Sequence, residues 1–448
     1  MSMRRRGGSQ QGMWVASQDL PRSAGHPFYA ALESVLRDAG FDRFVEDLCR
    51  PYYAEKHGRP SIAPGVYFRM LFVGYFEGLD SQRGMAWRCQ DSLSVRDFLG
   101  LEPTERSPDH SSMTVIRKRL PYEVFEEVFR FVLRCCEDHG LLKGGKTVAV
   151  DATFLEANAA MNSIVRRATG EDWKTYIRRL AEEDGVESPS DEDARRWDRK
   201  RGSKKKVSNE EWGSETDPDS RIVKMKDGRT HLGYKAEHAI DLESDLVLAA
   251  SIYRGDHSDD ESLTVTLDDA RDHLAAIGSE AEIEEVVADK GYHAAHALAA
   301  CTARGLRTYI PERQDRRKRR WTDKPTAWKE AFLGNRRRTR GPRNAALQRK
   351  RSEYVERSFA HTCETGRGRR TYLRGLYDVG KRWLGQLAGR NLGVLMRSLM
   401  GVGTPRSLQQ ASRHLAAFRD ALYAALIQIL VDRQLQLTGD RQAYSTGC

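Results

Sequence analysis

Residues 146–158 read KTVAVDATFLEAN, and the fold turns on them. Thr147 to Val150 form a short apolar run with the residue types of a buried strand. That run stops on Asp151, and a carboxylate at the end of a buried strand is costly unless something compensates it. A second stretch, VVADKGYH at 286–293, repeats the pattern. It is apolar through Val286 and Val287 and stops on Asp289, with Lys290 beside it and Gly291 suited to a sharp turn. If the two strands are neighbours, both carboxylates emerge at one sheet edge. Two anions that close repel unless a cation lies between them. Oxygen donors with nothing soft nearby favour Mg²⁺ or Mn²⁺ over zinc.

The surrounding pattern places those strands in a mixed α/β sheet. HLGYKAEHAIDLESDLVLAASIY predicts two strands joined at Glu243-Ser244-Asp245. SDDESLTVTLDDARDHLAAI predicts a helix opened by a capping box, Ser258-x-x-Glu261. IEEVVAD is a further strand, AAHALAACTARG a helix and LRTYIP a short strand. Before this, residues 1–24 read as a basic flexible tail. Residues 25–140 read as a helical domain for DNA binding or dimerisation, with Gly40 and Gly140 at helix ends. Within it SSMTVIRKRLP predicts an exposed helix capped by Ser111 or Ser112. The α/β domain then spans 141–371, interrupted by charged insertions at about 158–227 and 312–345. Residues 372–448 form a helical C-terminal region and a polar tail, with ALYAALIQILV read as a buried helix.

The chain carries 448 residues and a net charge of +10, which points to a polyanionic partner. Between Arg313 and Arg351 stand sixteen Lys or Arg against three Asp or Glu, so one block holds the basic excess, as a phosphate-tracking surface would. The seven cysteines include no CxxC pair; neither a zinc site nor a disulfide framework is indicated, and a reducing cytoplasm fits. No stretch approaches the roughly 18 apolar residues of a membrane span, and the N-terminus lacks the apolar core of a signal peptide.

A third carboxylate is expected from a helix beginning near Lys350, in KRSEYVERSFAHTCETGRGRR and ending near Gly366. Glu353, Glu356 and Glu364 share much the same helical face, and spacing does not choose among them. VAVDAT, VVADKGYH and EYVERSFAH, in that order, resemble the catalytic blocks of bacterial insertion-sequence transposases of the DDE class, most closely the insertion-sequence-five-like branch. The resemblance covers roughly residues 27 to 395 and includes GDHSDDESL. It implies a ribonuclease-H-like catalytic domain with Asp151, Asp289 and Glu356 as catalytic residues. One departure stands out. Related groups carry Tyr-x2-Arg-x3-Glu-x6-Lys around the glutamate, whereas Arg349, Ser352, Glu356 and Cys363 occupy those positions here, so only the glutamate matches. Arg351, Arg357 and Arg367 are candidates to replace the missing cations.

The resemblance further implies two Mg²⁺ (or Mn²⁺) ions held by Asp151, Asp289 and Glu356, and a reaction that cuts DNA at transposon ends and joins the 3′-OH to target DNA. It implies a homodimer on DNA, acting in the bacterial cytoplasm at the nucleoid, with no membrane partner. Expected DNA contacts are Lys290, Tyr292, His293, Arg351 and Arg357, together with Arg316, Arg317, Lys318, Arg319, Arg320 and Trp321 of the basic block. The competing expectations are a ribonuclease-H-like structure-specific nuclease and a non-catalytic DNA-binding protein derived from a transposase.

Overall fold

The computed structural model describes residues 26–54, 61–102, 104–143, 146–200, 208–313, 320–408 and 410; the ALYAALIQILV segment lies outside them. Among the described residues, helices α1 (His26–Asp38), α2 (Phe41–Cys49), α3 (Pro64–Glu77), α4 (Gln82–Asp91), α5 (Leu93–Leu99), α6 (His110–Arg119) and α7 (Tyr122–Asp138) precede the first strand. Their apolar stripes form one aromatic-rich core, in which Phe41 meets Phe72 and Phe131. Gly40 and Gly140 follow α1 and α7 at φ 74° and 72°, the left-handed geometry that ends a helix. The cap of α6 differs from expectation. Asp109 caps it in place of Ser111 or Ser112, because Asp109 Oδ1 accepts from the Ser112 amide at 2.7 Å.

The sheet follows. In chain order come β1 (Lys146–Glu156), β2 (Ile164–Arg166), α8 (Trp173–Glu183), α9 (Asp191–Lys200), β3 (Trp212–Ser214), β4 (Arg221–Lys224), β5 (Thr230–Asp241), β6 (Val247–Arg254), α10 (Asp259–Ala276), β7 (Ile283–Ala288), α11 (Ala295–Ala303) and β8 (Arg307–Tyr309). β5 lies antiparallel to β1 on one side; on its other side its first residues pair β4 and its remainder pairs β6. β7 runs parallel to β1, and β8 parallel to β7. Each parallel addition needs a crossover, which α10 and α11 supply. Ser258 precedes α10 as expected, but the capping box does not form: its hydroxyl turns to the Asp260 carboxylate.

The 158–227 segment is a small folded unit where described. β2 pairs β3, and Trp212 packs edge-on against Trp173 at 5.2 Å and Tyr176 at 5.0 Å. Its last strand, β4, joins the main sheet.

Three helices close the chain's described part: α12 (Thr326–Thr339), α13 (Pro342–Phe359), which continues as a π-helical turn over Ala360–Thr365, and α14 (Leu376–Met400). The basic block is therefore largely helical where described. α13 crosses the sheet: Arg343 binds Glu285 at 2.6 Å, Gln348 donates to the Tyr309 carbonyl at 2.8 Å, and Phe359 stacks on His238 of β5 at 4.2 Å. α14 is buried on every face from Val379 to Met396, the signature of a helix enclosed by other elements. One side meets the N-terminal helices so closely that a Cβ on Gly389 would stand 3.0 Å from the Tyr75 side chain. The other side meets β6, where the Asn391 amide bonds both the nitrogen and the carbonyl of Val247 at 3.0 and 2.8 Å. No helix among the described residues is long and apolar enough to cross a membrane.

Replacing Asn391 with Leu leaves two buried backbone groups of Val247 without partners. At about 1–3 kcal/mol each, the expected loss is roughly 2–6 kcal/mol, seen as a lower urea midpoint with an unchanged slope. A midpoint equal to the parent's would contradict the tie between α14 and β6.

Candidate active site

The parallel register of β1 and β7 sets Val150 against Ala288. Asp151 and Asp289 are the next residue on each strand: β1 runs on past Asp151 to Glu156, farther than its apolar run suggested, while β7 ends at Ala288, so the two carboxylates stand side by side where the parallel pairing stops. Asp151 Oδ1 accepts from the Ala152 amide at 2.8 Å, and Oδ2 from Arg351 Nη1 of α13 at 2.7 Å. Burial pushes the Asp151 carboxyl up to about 6; Arg351 and the Ala152 amide offset part of this, while the charges of Asp289 and Asp259 add to it. Asp289 caps a tight turn, accepting from the Gly291 amide at 2.6 Å.

A buried network holds that turn. Tyr292, 1% exposed, donates its hydroxyl to Glu237 Oε2 at 2.8 Å. Glu237, fully buried on β5, also accepts from Ser262 at 2.6 Å and Thr266 at 2.5 Å, both on α10. Lys235 stands 3.3 Å from Glu237 and 2.7 Å from Asp259, pairing a buried carboxylate that would otherwise be very costly. Asp259, in the first turn of α10, completes the cluster. A Cβ on Gly291 would lie 2.6 Å from Asp259 Oδ2 and 2.8 Å from Asp289 Oδ1, so only glycine lets both carboxylates close around this turn.

The expected site residues are only partly brought together. Asp151, Asp289 and Arg351 meet. Glu356 is exposed on α13, with Ser352 Oγ donating to it at 3.2 Å. Its rivals are also exposed: Glu353 pairs with Arg357, and Glu364 with Arg369 at 2.9 Å. Lys290 is exposed beside Asp289. Tyr292 and His293, both expected at DNA, are instead buried: Tyr292 in the Glu237 network and His293, 3% exposed, edge-on to Phe332 at 5.4 Å. Glu237 claims the Tyr292 hydroxyl and Phe332 packs on the His293 ring, so neither side chain is presented to a phosphate. Arg357 binds Asp245 at 3.3 Å and covers the Tyr354 ring at 4.5 Å. Arg320 is exposed, while Trp321 is half-buried against Phe332 at 5.2 Å. Arg316, Arg317, Lys318 and Arg319 lie outside the described residues.

Asp259, Lys235 and Glu237 were not singled out from the sequence. The available signal was a Lys and a Glu inside the apolar strand GYKAEHAI, and the acidic start of SDDESL. His238, paired across from Asp151, is fully buried with both ring nitrogens unpartnered, and burial lowers its pKa to about 3.

For a divalent cation the donors are of the right kind. Asp151 and Asp289 offer adjacent hard oxygens, and even with Arg351 in place the carboxyl of Asp151 is held above its ordinary range, a deficit that a cation relieves. Two carboxylates with open positions suit Mg²⁺. Among the described residues, no group of three or more His, Cys, Asp or Glu is gathered tightly enough to hold a metal by itself.

Comparison with known families gives two matches. The Transposase DDE domain matches residues 143–392, and the Transposase domain (DUF772) matches residues 17–119. No curated protein matches the chain.

The electrostatics of Asp151 can be tested without DNA. Its folded pKa, about 6, lies above the ordinary 3.8, so the folded state binds the extra proton between these values and loses stability as pH rises through them. Asp151→Asn should therefore gain about 1–3 kcal/mol over the parent at pH 7.5 and almost nothing below pH 4, measured by urea unfolding. An equal difference at both pH values would count against this account.

Proposed function

The chain belongs to the DDE-class insertion-sequence transposases, and from this we propose that it cuts DNA at the ends of its element and joins the freed 3′ ends to target DNA. The observation that carries the proposal is the pairing of Asp151 and Asp289 at one edge of parallel strands inside the matched domain. A ribonuclease-H-like fold is supported by the strand order β6-β5-β1-β7-β8, three antiparallel strands followed by two parallel ones. The insertion-sequence-five-like placement rests on the Asp-Lys-Gly-Tyr turn.

In this reading Asp151, Asp289 and Glu356 hold two Mg²⁺ or Mn²⁺ ions. When bound, such ions polarise the phosphodiester and stabilise charge on the attacking and leaving oxygens. The chain's own residues do the rest. Asp289 is presented by a turn that Tyr292 and Glu237 keep rigid. Arg351 exchanges the Asp151 carboxylate for a DNA phosphate, and exposed Lys290 meets a neighbouring one. Hydrolysis breaks the P–O3′ bond and leaves a 3′-OH; that hydroxyl attacks a target phosphodiester, exchanging one ester bond for another. Arg320 and Arg337, both exposed, neutralise flanking phosphates. Holding two ends calls for a homodimer on DNA at the nucleoid.

The test is Mg²⁺-dependent nicking of duplex DNA carrying the element's termini. Asp151→Asn, Asp289→Asn and Glu356→Gln should each lose about a hundredfold or more, the scale for removing a group that stabilises transition-state charge. Full activity in Glu356→Gln with loss in the other two would move the third role to another carboxylate, Asp259 first. Full activity in all three would end the proposal.

A further inference from the structure

Arg351 holds Asp151 less firmly than other arginines of this chain hold their carboxylates. Arg69 gives Asp42 two bonds, at 2.5 and 2.8 Å, and Arg304 gives Asp268 two, at 2.8 and 2.7 Å. Both use the paired geometry that fixes a guanidinium on a carboxylate. Arg351 gives Asp151 a single bond, from Nη1 to Oδ2 at 2.7 Å, its Nε being taken by Gln348 Oε1 at 3.1 Å. Gln348 is itself anchored, donating to the Tyr309 carbonyl at the end of β8 at 2.8 Å. A guanidinium carries five N–H donors, more than these two bonds use. Solvent also reaches the pair: the side chains of Arg351 and Asp151 are 15% and 25% exposed. Lys235, the other cation of the cluster, is by contrast buried against Glu237 and Asp259.

We propose that Arg351 is a gate that DNA opens: in the free chain it stands on the Asp151 oxygen that a divalent cation needs, and a DNA phosphate draws it away. Arg351 and a divalent cation compete for Asp151 Oδ2 and, being like charges, repel each other there. A phosphate offers the guanidinium two oxygens in the paired geometry that Asp151 does not give it. Once Arg351 has turned to the phosphate, Asp151 and Asp289 stand side by side without it, and two such carboxylates call for a cation between them. DNA and cation thus strengthen each other's binding, by the same factor in both directions. The free chain, with its own arginine on Asp151, resists loading and keeps its cutting chemistry for bound DNA. The inference rests on Asp151 and Asp289 being ligands of a divalent cation.

The probe is Mn²⁺, whose free ion is counted by electron paramagnetic resonance, with the full chain and no DNA. Arg351→Gln and Arg351→Met should each bind Mn²⁺ about tenfold more tightly than the parent, a typical size for such a coupling. Either variant suffices if the other fails to fold. On an Asp151→Asn background the same changes should gain nothing, a result that a general loosening of α13 would not give. Duplex DNA with the element's terminal sequence, kept cold and checked on a denaturing gel to be uncut, is then added. It should tighten Mn²⁺ binding about tenfold in the parent and less than about twofold in the Arg351 variants. Equal Mn²⁺ affinity in parent and variants, a gain that survives Asp151→Asn, or no tightening by DNA in a parent that nicks DNA in Mg²⁺ overturns the gate alone. A gain that Asp151→Asn abolishes, in a parent that never nicks DNA, supports the gate and overturns the cutting reading instead. Mn²⁺ bound by no chain, with or without DNA, overturns both.

Discussion

Parallel pairing between β1 and β7 forces two carboxylates into one sheet edge, and much of the surrounding structure manages that consequence. With Val150 opposite Ala288, Asp151 and Asp289 cannot avoid each other. Three devices make the arrangement tolerable. Local amides from Ala152 and Gly291 bind one oxygen of each carboxylate. Arg351 reaches in from α13 to the other oxygen of Asp151. The Glu237 network fixes Tyr292, and with it the turn that follows Asp289. What these leave uncompensated shows in Asp151, whose carboxyl remains above its ordinary range. A cation beside the two carboxylates would relieve that deficit.

α13 sets the remaining geometry. It is tied at its start by Arg343 to Glu285 and near its end by Arg357 to Asp245. Asp245 sits in the β5–β6 turn at φ 65° and is also held by Arg390 of α14 at 2.5 Å. Between those ties Arg351 is delivered to Asp151, and Glu356 follows about 7.5 Å further along the helix axis. Immediately after Phe359 the helix widens into a π-turn, a distortion frequent at functional sites; Glu364 lies in it, and Arg369, four residues beyond its end, donates to Thr153 Oγ1 and the Phe154 carbonyl of β1. Of the candidates for the basic residues missing from the related glutamate motif, Arg351, one residue from Ser352, is the one that reaches Asp151.

The strands and their order of appearance were legible because each is a compact apolar run ending in a turn former, and Asp151 and Asp289 stood out as charges where such runs stop. Glu356 was harder. Three glutamates share one amphipathic face, and nothing local to a helix records which one looks toward a distant strand. Tyr292 and His293 were expected at DNA because they follow a catalytic carboxylate; their burial depends on Glu237 and Phe332, 55 and 39 residues away. Caps failed for a related reason. Asp109 takes the Ser112 amide while the Ser111 hydroxyl donates to the Asp109 carboxylate, and Ser258 likewise turns to a neighbouring carboxylate. Most of the 158–227 segment read as an insertion with scattered tryptophans, because a cluster such as Trp173, Tyr176 and Trp212 has no periodic signature.

The enclosure of α14 bears on the order in which the molecule can assemble. Its residues 379–396 fill the seam between the N-terminal helices and the sheet, yet they are made long after both. Until they emerge, the parts of α3 and α7 that α14 covers stay exposed, and Asp245 lacks Arg390, one of the arginines that steady its turn. Such late, sequence-distant closure favours slow folding and leaves the growing chain dependent on protection from aggregation. It also means that the surroundings of Asp151 and Asp289 are complete only when nearly the whole described chain has been synthesised.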